Sequence, residues 1–279
     1  MCYPFRRGQG RIIDRSFLRS AEFREPLLHV RTVHGFAMDI LPNDLIGRHI
    51  YFTGQFDRTI ADVLLTFARD NDRIIDIGAN VGYISAVLLH SLPRSIVVSV
   101  EPNEAVFKLL IRNVARVGND RARPICVAIS DHTGTGHLLV WEENTGGARL
   151  LESDHPASTE GVVNVELING RDLVRRTALD HVDLVKIDVE GHETQVLHGM
   201  RDVIASDRPR AIVFECYDHL YKDKHPIVTL LDALDYRVFG IKKKLLRWHL
   251  LPLQHLCERR IQCHDYVARP QELVARERS

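Results

Sequence analysis

Asp76-Ile-Gly-Ala-Asn-Val-Gly82 is the most informative segment of the sequence, because it joins an apolar run at 73–75 to a helix-like run that starts at Tyr83. A buried strand, a glycine-rich turn and a helix in this order point backbone N–H groups and the positive end of a helix at a ligand. Such a site suits an anionic or strongly polar group. The alternative is a plain strand-to-helix turn, since glycines also occur in turns that bind nothing.

A second strand with an acidic end favours the nucleotide-site interpretation. Residues 95–100 are rich in β-branched residues and are followed by Glu101-Pro-Asn103. An acidic residue at the tip of the neighbouring parallel strand, about 20 residues past a glycine turn, can accept hydrogen bonds from ribose hydroxyls.

The turn itself departs from the G-x-G-x-x-G pattern of dinucleotide sites, because Asp76 occupies the first glycine position and Asn80 the third. A carboxylate there would repel a pyrophosphate and attract an ammonium, which leaves the N–H groups of the turn for a carboxylate. The amino-acid end of S-adenosylmethionine carries both groups, so the chemistry favours this cofactor over a dinucleotide.

Composition is compatible with one large α/β domain. The chain has 279 residues, with 37 basic and 37 acidic side chains, and this balance gives no global field that would attract nucleic acid. Five cysteines, no apolar signal core and no apolar run near the ~20 residues that span a bilayer predict a cytoplasmic protein without membrane insertion. The sequence also leaves room for a homo-oligomer.

Predicted strands and helices alternate along the chain, which is typical of a parallel sheet covered by helices on both faces. We therefore predict a doubly wound α/β fold. The predicted strands are 73–77, 96–100, 123–129, 182–187 and 211–215. The predicted helices start at 83, run from 104 to just before Gly118, and cover 190–200 and 222–234.

Two segments are additional to a minimal nucleotide-binding domain. Residues 1–57 are predicted to be an N-terminal extension that packs on the core, residues 58–269 the domain, and 270–279 a polar tail. An insertion at about 133–170 has predicted strands at 137–141 and 162–168 around a Gly- and Ser-rich loop. We expect this hairpin and loop to form a lid or substrate wall over the strand tips, where open α/β sheets bind ligands.

Charged residues crowd the end of the strand at 182–187. In Val185-Lys-Ile-Asp-Val-Glu-Gly-His-Glu193, strand alternation puts Lys186 and Asp188 on one side, and the turn presents Glu190 beside them. Glu215 brings a further carboxylate to the same edge. This pattern indicates a catalytic site, although acidic residues also stabilise the first turn of a helix, where Lys186 could simply neutralise them.

An ordered series of motifs adds to these observations. It comprises Gly54-Gln-Phe-Asp57, Ile75-Asp-Ile-Gly-Ala-Asn-Val-Gly-Tyr83, Val100-Glu-Pro-Asn103, Ala128-Ile-Ser-Asp131 with Gly134, Asn144-Thr-Gly-Gly147, Lys186-Ile-Asp-Val-Glu-Gly191 and Phe214-Glu215. In this order, from about residue 33 to 267, the sequence resembles the FkbM-type S-adenosylmethionine-dependent methyltransferases. The family usually has glutamate where this chain has Asp57.

The resemblance implies a Rossmann-like class I methyltransferase fold, with a mostly parallel seven-stranded sheet whose last strand, about 262–269, is antiparallel. It also implies O-methylation, commonly of a sugar hydroxyl or a secondary metabolite. By position, it assigns the cofactor to Asp76, Gly78, Asn80 and Gly82 with Tyr83 for the methionine part, Glu101 for the ribose, and Asn103 and Asp131 for the adenosine side.

The protein does not need to activate the methyl group, because a sulfonium methyl is already electrophilic. A positioned general base that removes the hydroxyl proton typically contributes about 10²–10⁴-fold. Asp188 is the first candidate for this base and Glu190 the second, with Lys186 orienting them through its charge. No metal site is assigned, but Asp188, Glu190 and Glu215 could instead bind Mg²⁺ and lower the pKa of the hydroxyl.

The sequence thus predicts an S-adenosylmethionine-dependent O-methyltransferase acting on a hydroxyl of a sugar, glycan or glycosylated small molecule. Two alternatives remain. An NAD(P)-dependent Rossmann oxidoreductase or epimerase shares the strand and glycine geometry, and a non-catalytic binding module could keep the same fold as a scaffold.

Overall fold

The computed structural model describes residues 22–141, 145–151, 160–221, 225–243 and 247–276. The strands, in chain order, are β1 (Leu28–Arg31), β2 (Ala37–Ile40), β3 (Arg73–Ile77), β4 (Ile96–Val100), β5 (Ala122–Ile125), β6 (Ala128–Ile129), β7 (Gly134–Leu139), β8 (Arg149–Leu150), β9 (Val162–Ile168), β10 (Leu184–Ile187), β11 (Ala211–Glu215), β12 (Tyr236–Lys243), β13 (Trp248–Pro252) and β14 (Asp265–Pro270). The helices are α1 (Leu45–Thr53), α2 (Arg58–Phe67), α3 (Tyr83–Ser91), α4 (Glu104–Gly118), α5 (Gly170–Thr177), α6 (Glu193–Gly199), α7 (Arg201–Asp207), α8 (Pro226–Ala233), α9 (Leu253–Glu258) and α10 (Gln271–Arg276).

The central sheet has the strand order β13-β12-β14-β11-β10-β3-β4-β5. Strands β11, β10, β3, β4 and β5 pair in parallel, whereas β14 is antiparallel to both β11 and β12. The predicted class I methyltransferase fold, with its reversed last strand, is confirmed. The sheet has one strand more than predicted, because β13 folds back on β12 as an antiparallel hairpin.

Helices cover both faces of this sheet, as the alternation of strand side chains requires. Ile74 belongs to the apolar cluster under α2, α3 and α4, whereas Ile75 and Ile77 belong to the cluster under α5, α6, α7 and α8. In the part of the chain that the structure describes, no helix is long and apolar enough to cross a membrane.

The predicted strand at 123–129 is two strands in two different sheets. The segment β5 pairs with β4 in the central sheet, and after Val127 the short strand β6 pairs with β9 instead. A second sheet with the order β6-β9-β7-β8 therefore replaces the simple inserted hairpin that the sequence suggested. Most of the loop between β8 and β9 lies outside the described residues.

The helix predicted at 190–200 begins three residues late. Glu190 and Gly191 have left-handed backbone conformations, with φ of 50° and 99°, and a right-handed helix cannot include them. The chain therefore turns at the sheet edge, and α6 starts at Glu193. This delay leaves Glu190 in the turn.

The N-terminal hairpin of β1 and β2 contacts the domain through α4. The fully buried Asn113 receives a hydrogen bond from the N–H of Asp39 and donates to the carbonyls of Asp39 and Val81. Arg116 also pairs with the Asp39 carboxylate at 2.9 Å. The division at 57 and 269 stays a prediction.

Candidate active site

A cavity of about 430 Å³ opens at the edge of the sheet where β3, β4, β10 and β11 end. Its volume is within the range of small-molecule sites. The lining follows the sheet order, with the glycine turn after β3, Glu101 after β4, Asp188 after β10 and Glu215 at the end of β11.

The glycine turn is held against two neighbouring strands. Gly78 has a φ of 75°, and a Cβ atom on it would lie 1.7 Å from the Asp188 carbonyl oxygen, so only glycine fits. The N–H groups of Gly78 and Ala79 both donate to the carbonyl of Val100.

The remaining amides of this turn are also used within the protein. The Asn80 N–H donates to Glu101, the Val81 N–H to the side chain of Asn80, and the Gly82 N–H to the carbonyl of Ala79. The structure therefore does not support the prediction that N–H groups of the turn are left for a ligand carboxylate. The turn instead forms part of the cavity wall.

Backbone N–H groups hold both carboxylate oxygens of Glu101, which follows β4. Its Oε2 accepts the Asn80 N–H at 3.0 Å and its Oε1 accepts the Asn103 N–H at 2.9 Å. Burial raises the pKa of Glu101 to about 7, although these hydrogen bonds oppose the shift. Beside it, Pro102, Val127 and Ile129 form an apolar wall.

Asp76 has no exposed surface and is not among the residues that line the cavity, and its contact with the cofactor stays a prediction. Its Oδ2 accepts a hydrogen bond from Ser85 Oγ at 2.7 Å, and its Oδ1 lies 3.2 Å from Lys186 Nζ. Ser99 continues the network to Ser85, also at 2.7 Å. Asp76 therefore acts on the site through Lys186.

Lys186 connects the glycine turn after β3 to Asp188 after β10. Its ammonium donates to the Gly78 carbonyl at 2.9 Å and lies 3.4 Å from the Asp188 carboxylate. Burial alone would lower the pKa of Lys186, but Asp76 and Asp188 outweigh it and hold the pKa above its ordinary value. A permanently charged lysine cannot act as a base, which agrees with its predicted orienting role.

Asp188, Glu190 and Glu215 form a carboxylate cluster, in which one oxygen from each lies within 4.8 Å of the others. Burial, followed by the charges of Asp188 and Glu193, raises the pKa of Glu190 to about 7. Burial, followed by the charges of Asp188, Asp265 and Glu190, raises the pKa of Glu215 to about 8. The structure thus brings all three together, as the sequence predicted.

Sequence reasoning missed a second charged group on the same wall. Lys243, at the end of β12, lies 2.8 Å from Asp265 and 3.4 Å from Asp57, and all three line the cavity. Burial raises the pKa of Asp57 to about 6, even though Lys243 opposes this shift. The residues are far apart in sequence, and only the placement of β14 between β11 and β12 brings them together.

Hydrogen bonds join the N-terminal segment to the insertion at the cavity. Asp44 caps α1 with one carboxylate oxygen and accepts the N–H and the hydroxyl of Thr145 with the other, at 2.7 and 3.0 Å. Asn80 donates from its side chain to the same Thr145 hydroxyl at 3.3 Å. The N-terminal segment, the insertion and the glycine turn therefore meet at Thr145.

Some residues assigned to the cofactor by position do not line the cavity. Asn103 caps α4, and Gly82 directly precedes α3 with a φ of 83°. Asp131 points to its neighbours Ser130 and His132. In contrast, Gly78, Asn80, Tyr83 and Glu101 all line it.

A model of the FkbM methyltransferase domain matches residues 76–238, which is more than half of the chain. The chain belongs to the FkbM methyltransferase family. The FkbM match begins at the glycine turn and ends within β12, so it includes Glu101, Lys186 and the three clustered carboxylates.

Two methyltransferases are similar in sequence to this FkbM chain. It is 27% identical over 201 residues to the hexuronic acid methyltransferase AglP of Haloferax volcanii, which is 71% of this chain and 77% of AglP. It is 27% identical over 174 residues to the 2-O-methyltransferase NoeI of Sinorhizobium fredii, which is 58% of this chain and 70% of NoeI.

Solved structures of methyltransferases are also similar. An FkbM methyltransferase from Methylobacillus flagellatus aligns with a TM-score of 0.45 and 17% identity over 73% of this chain, which is 45% of that chain. An O-methyltransferase from Bacillus cereus in complex with SAH aligns with a TM-score of 0.42 and 12% identity, covering 77% of this chain and 81% of that one.

Proposed function

We propose that this protein transfers the methyl group of S-adenosylmethionine to a hydroxyl of a sugar, glycan or glycosylated small molecule. The observation that carries the proposal is one cavity with two unlike halves along one sheet edge. Glu101 and an apolar wall lie at the ends of β4 and β5, whereas carboxylates cluster after β10 and β11. The name of one relative, a hexuronic acid methyltransferase, supports a sugar-derived acceptor, and the name of another, a 2-O-methyltransferase, supports transfer to an oxygen.

The residues of the β4 half fit this cofactor. Each oxygen of Glu101 accepts one backbone N–H and keeps a lone pair that can accept a ribose hydroxyl. The apolar wall of Pro102, Val127 and Ile129 suits an adenine ring. Asp76 supports this half from beneath, because it holds Lys186 against the Gly78 carbonyl.

When bound, S-adenosylmethionine supplies a methyl group on a sulfonium leaving group. The protein holds the acceptor oxygen in line with that methyl group and excludes water. As the oxygen–carbon bond forms and the carbon–sulfur bond breaks, the hydroxyl proton passes to a carboxylate. Asp188 and Glu190 remain the candidates for this base, and the pKa of Glu190, raised to about 7, matches the task well.

Metal assistance is the alternative within the same cluster. Asp188, Glu190 and Glu215 present oxygen ligands of the type that Mg²⁺ prefers. The two versions differ in their response to EDTA. Turnover that survives exhaustive chelation excludes the metal version, whereas loss of turnover that Mg²⁺ restores excludes the metal-free base.

Calorimetry with S-adenosylmethionine and with NAD tests the proposed function first. Binding of S-adenosylmethionine and not of NAD is the expected result, and binding of NAD alone overturns the proposal. Release of S-adenosylhomocysteine in the presence of a glycoside panel then distinguishes an enzyme from a non-catalytic binding module.

A further inference from the structure

An exposed aromatic ring lines the cavity just after β11. Tyr217 is 57% exposed, the largest value among the exposed large hydrophobic residues of the described chain. Phe56 and Tyr83 also line the cavity, but Phe56 is half-buried and Tyr83 is buried. Apolar surface that stays open to solvent inside a binding cavity marks a place that a ligand is expected to cover.

Neighbouring residues hold the Tyr217 ring in position. The N–H of Cys216 donates to the His264 carbonyl at 2.7 Å, which extends the pairing of β11 with β14 beyond Glu215 and Asp265. The His264 ring packs against Tyr217, with 5.1 Å between the ring centroids and 41° between the ring planes. Because His264 does not line the cavity, it supports the Tyr217 ring from outside.

Tyr217 belongs to the acceptor half of the cavity, which is the side at the ends of β10 and β11. Its hydroxyl forms a hydrogen bond with the carboxyl of Glu215, a member of the carboxylate cluster. The cofactor half lies around Glu101 after β4, three strands away from β11 in the sheet. Adjacent strands are about 4.8 Å apart, so the two strand ends are separated by roughly 14 Å. The ring is therefore available to the acceptor and not to the adenosine part of the cofactor.

We infer that Tyr217 is the stacking surface of the acceptor site, where one C–H face of a pyranose ring covers the phenol ring. This inference rests on the proposed function, because it specifies how the sugar of that reaction is held. The face of an aromatic ring carries partial negative charge and the C–H groups of a sugar carry partial positive charge, so the two surfaces attract each other.

The carboxylate cluster complements this stacking. A sugar that lies on Tyr217 keeps its hydroxyl groups at the edge of its ring, where Asp188 and Glu190 can accept hydrogen bonds from them. A pyranose has both surfaces that the acceptor half offers to bind. An acyclic polyol lacks the C–H face, and a simple phenol has too few hydroxyl groups for three carboxyl groups.

Saturation-transfer NMR tests the stacked geometry. The protein is the full chain loaded with S-adenosylhomocysteine, and the probe is the methyl pyranoside that gives the fastest turnover in the glycoside panel. We expect the C–H protons of one sugar face to receive most of the saturation and to shift upfield, because they lie over an aromatic ring. Equal saturation of both faces overturns the inference. A panel without any turnover defeats the proposed function itself.

Variants of Tyr217 test the same contact by kinetics. Tyr217→Ala should raise the KM for the pyranoside roughly 10-fold and leave kcat nearly unchanged, because the stacking is equal in the ground state and the transition state. Tyr217→Phe keeps the ring and should retain a KM close to that of wild type. An equal loss in Tyr217→Phe would assign the effect to the hydroxyl and contradict stacking.

The matched control is Tyr51→Ala, since Tyr51 is also exposed but does not line the cavity. It should change neither the KM for the pyranoside nor the Kd for S-adenosylmethionine. Calorimetry should also give a wild-type Kd for S-adenosylmethionine in Tyr217→Ala, which shows that the variant is folded. An unchanged KM in this folded variant, or a raised Kd for the cofactor, overturns the inference while the proposed function stands.

Discussion

Ser99, Asp76 and Lys186 lie side by side in one row across β4, β3 and β10. The register places Asp76 directly opposite both neighbours, and Ser85 contacts its carboxylate from α3. The row therefore contains a buried ion pair, between Asp76 and Lys186, beneath the glycine turn. The carboxylate predicted to bind an ammonium of the cofactor pairs with the ammonium of Lys186 in this structure, and its contact with the cofactor stays a prediction.

Asp76→Asn should mainly cost stability. Because Lys186 would keep a buried charge with one partner fewer, we expect a loss of about 3–5 kcal/mol in the free energy of unfolding. Urea denaturation measures it. The matched control is Asp70→Asn, which breaks the more exposed pair with Arg94 and should cost about 0–1 kcal/mol. Equal losses in the two variants contradict the buried role.

A second residue-scale prediction concerns the base. With the pKa of Glu190 at about 7, kcat should rise with pH up to about 7 and level off above it, because the base must be ionised. Glu190→Gln should lower kcat by about 10²–10⁴-fold and remove this inflection. Glu166→Gln, at a half-exposed glutamate outside the cavity, serves as the control. A retained profile in Glu190→Gln, together with a collapse in Asp188→Asn, would assign the base to Asp188.

The sequence predicted Lys186, Asp188, Glu190 and Glu215 together because strand alternation and a parallel sheet suffice to place them. It could not predict the opposing group of Asp57, Lys243 and Asp265. Their proximity depends on β14 lying between β11 and β12, which is a property of the sheet order and not of any local pattern. The burial of Asp76 was also beyond reach, since an aspartate at a strand end looks the same whether it faces inward or outward.

At the scale of elements, Thr145 connects the insertion to the cofactor half by hydrogen bonds. Thr145 joins Asp44, which begins α1, to Asn80 in the glycine turn. The sequence predicted a lid in this region but not its contact, because Asp44 is about 100 residues away and looks like an ordinary helix cap.

Asp44→Asn should weaken binding of S-adenosylmethionine. The amide would place N–H donors against either the α1 cap or Thr145, and hydrogen bonds to a charged group contribute about 1.5–3 kcal/mol, so the Kd should rise roughly 10-fold. Calorimetry measures the change. Asn169→Ala removes the cap of α5 away from the cavity and should lower stability without changing the Kd. An unaltered Kd in Asp44→Asn means that the contact does not shape the cofactor site.

The predicted start of one helix was wrong because the backbone has left-handed conformations there. The sequence of 190–200 has helical periodicity, but the turn at Glu190 and Gly191 delays the helix. The prediction of one strand at 123–129 was wrong for a different reason. The apolar pattern continues through this segment, but its pairing partner changes from β4 to β9. Neither event is visible in periodicity alone.

For the whole molecule, the sheet order has an electrostatic consequence, because it collects carboxyl groups from β10, β11 and β14 at one edge. Glu215 is central to this crowding. In the unfolded chain its carboxyl titrates near 4.5, whereas in the folded protein its pKa is about 8. Between these values the folded state holds more protons, so this group makes the fold less stable as pH rises through the window.

Glu215→Gln should therefore stabilise the protein more at high pH than at low pH. The glutamine cannot ionise, so the gain in Tm over wild type should be small near pH 5 and larger near pH 8, at roughly 2–4 °C for each kcal/mol recovered. Calorimetric melting at both pH values measures it. Glu166→Gln should show no such gain, because Arg176 lowers the pKa of Glu166. A gain that is equal at both pH values would mean that better packing, and not relief of charge, stabilises the variant, and the acidic edge would then carry no cost in stability.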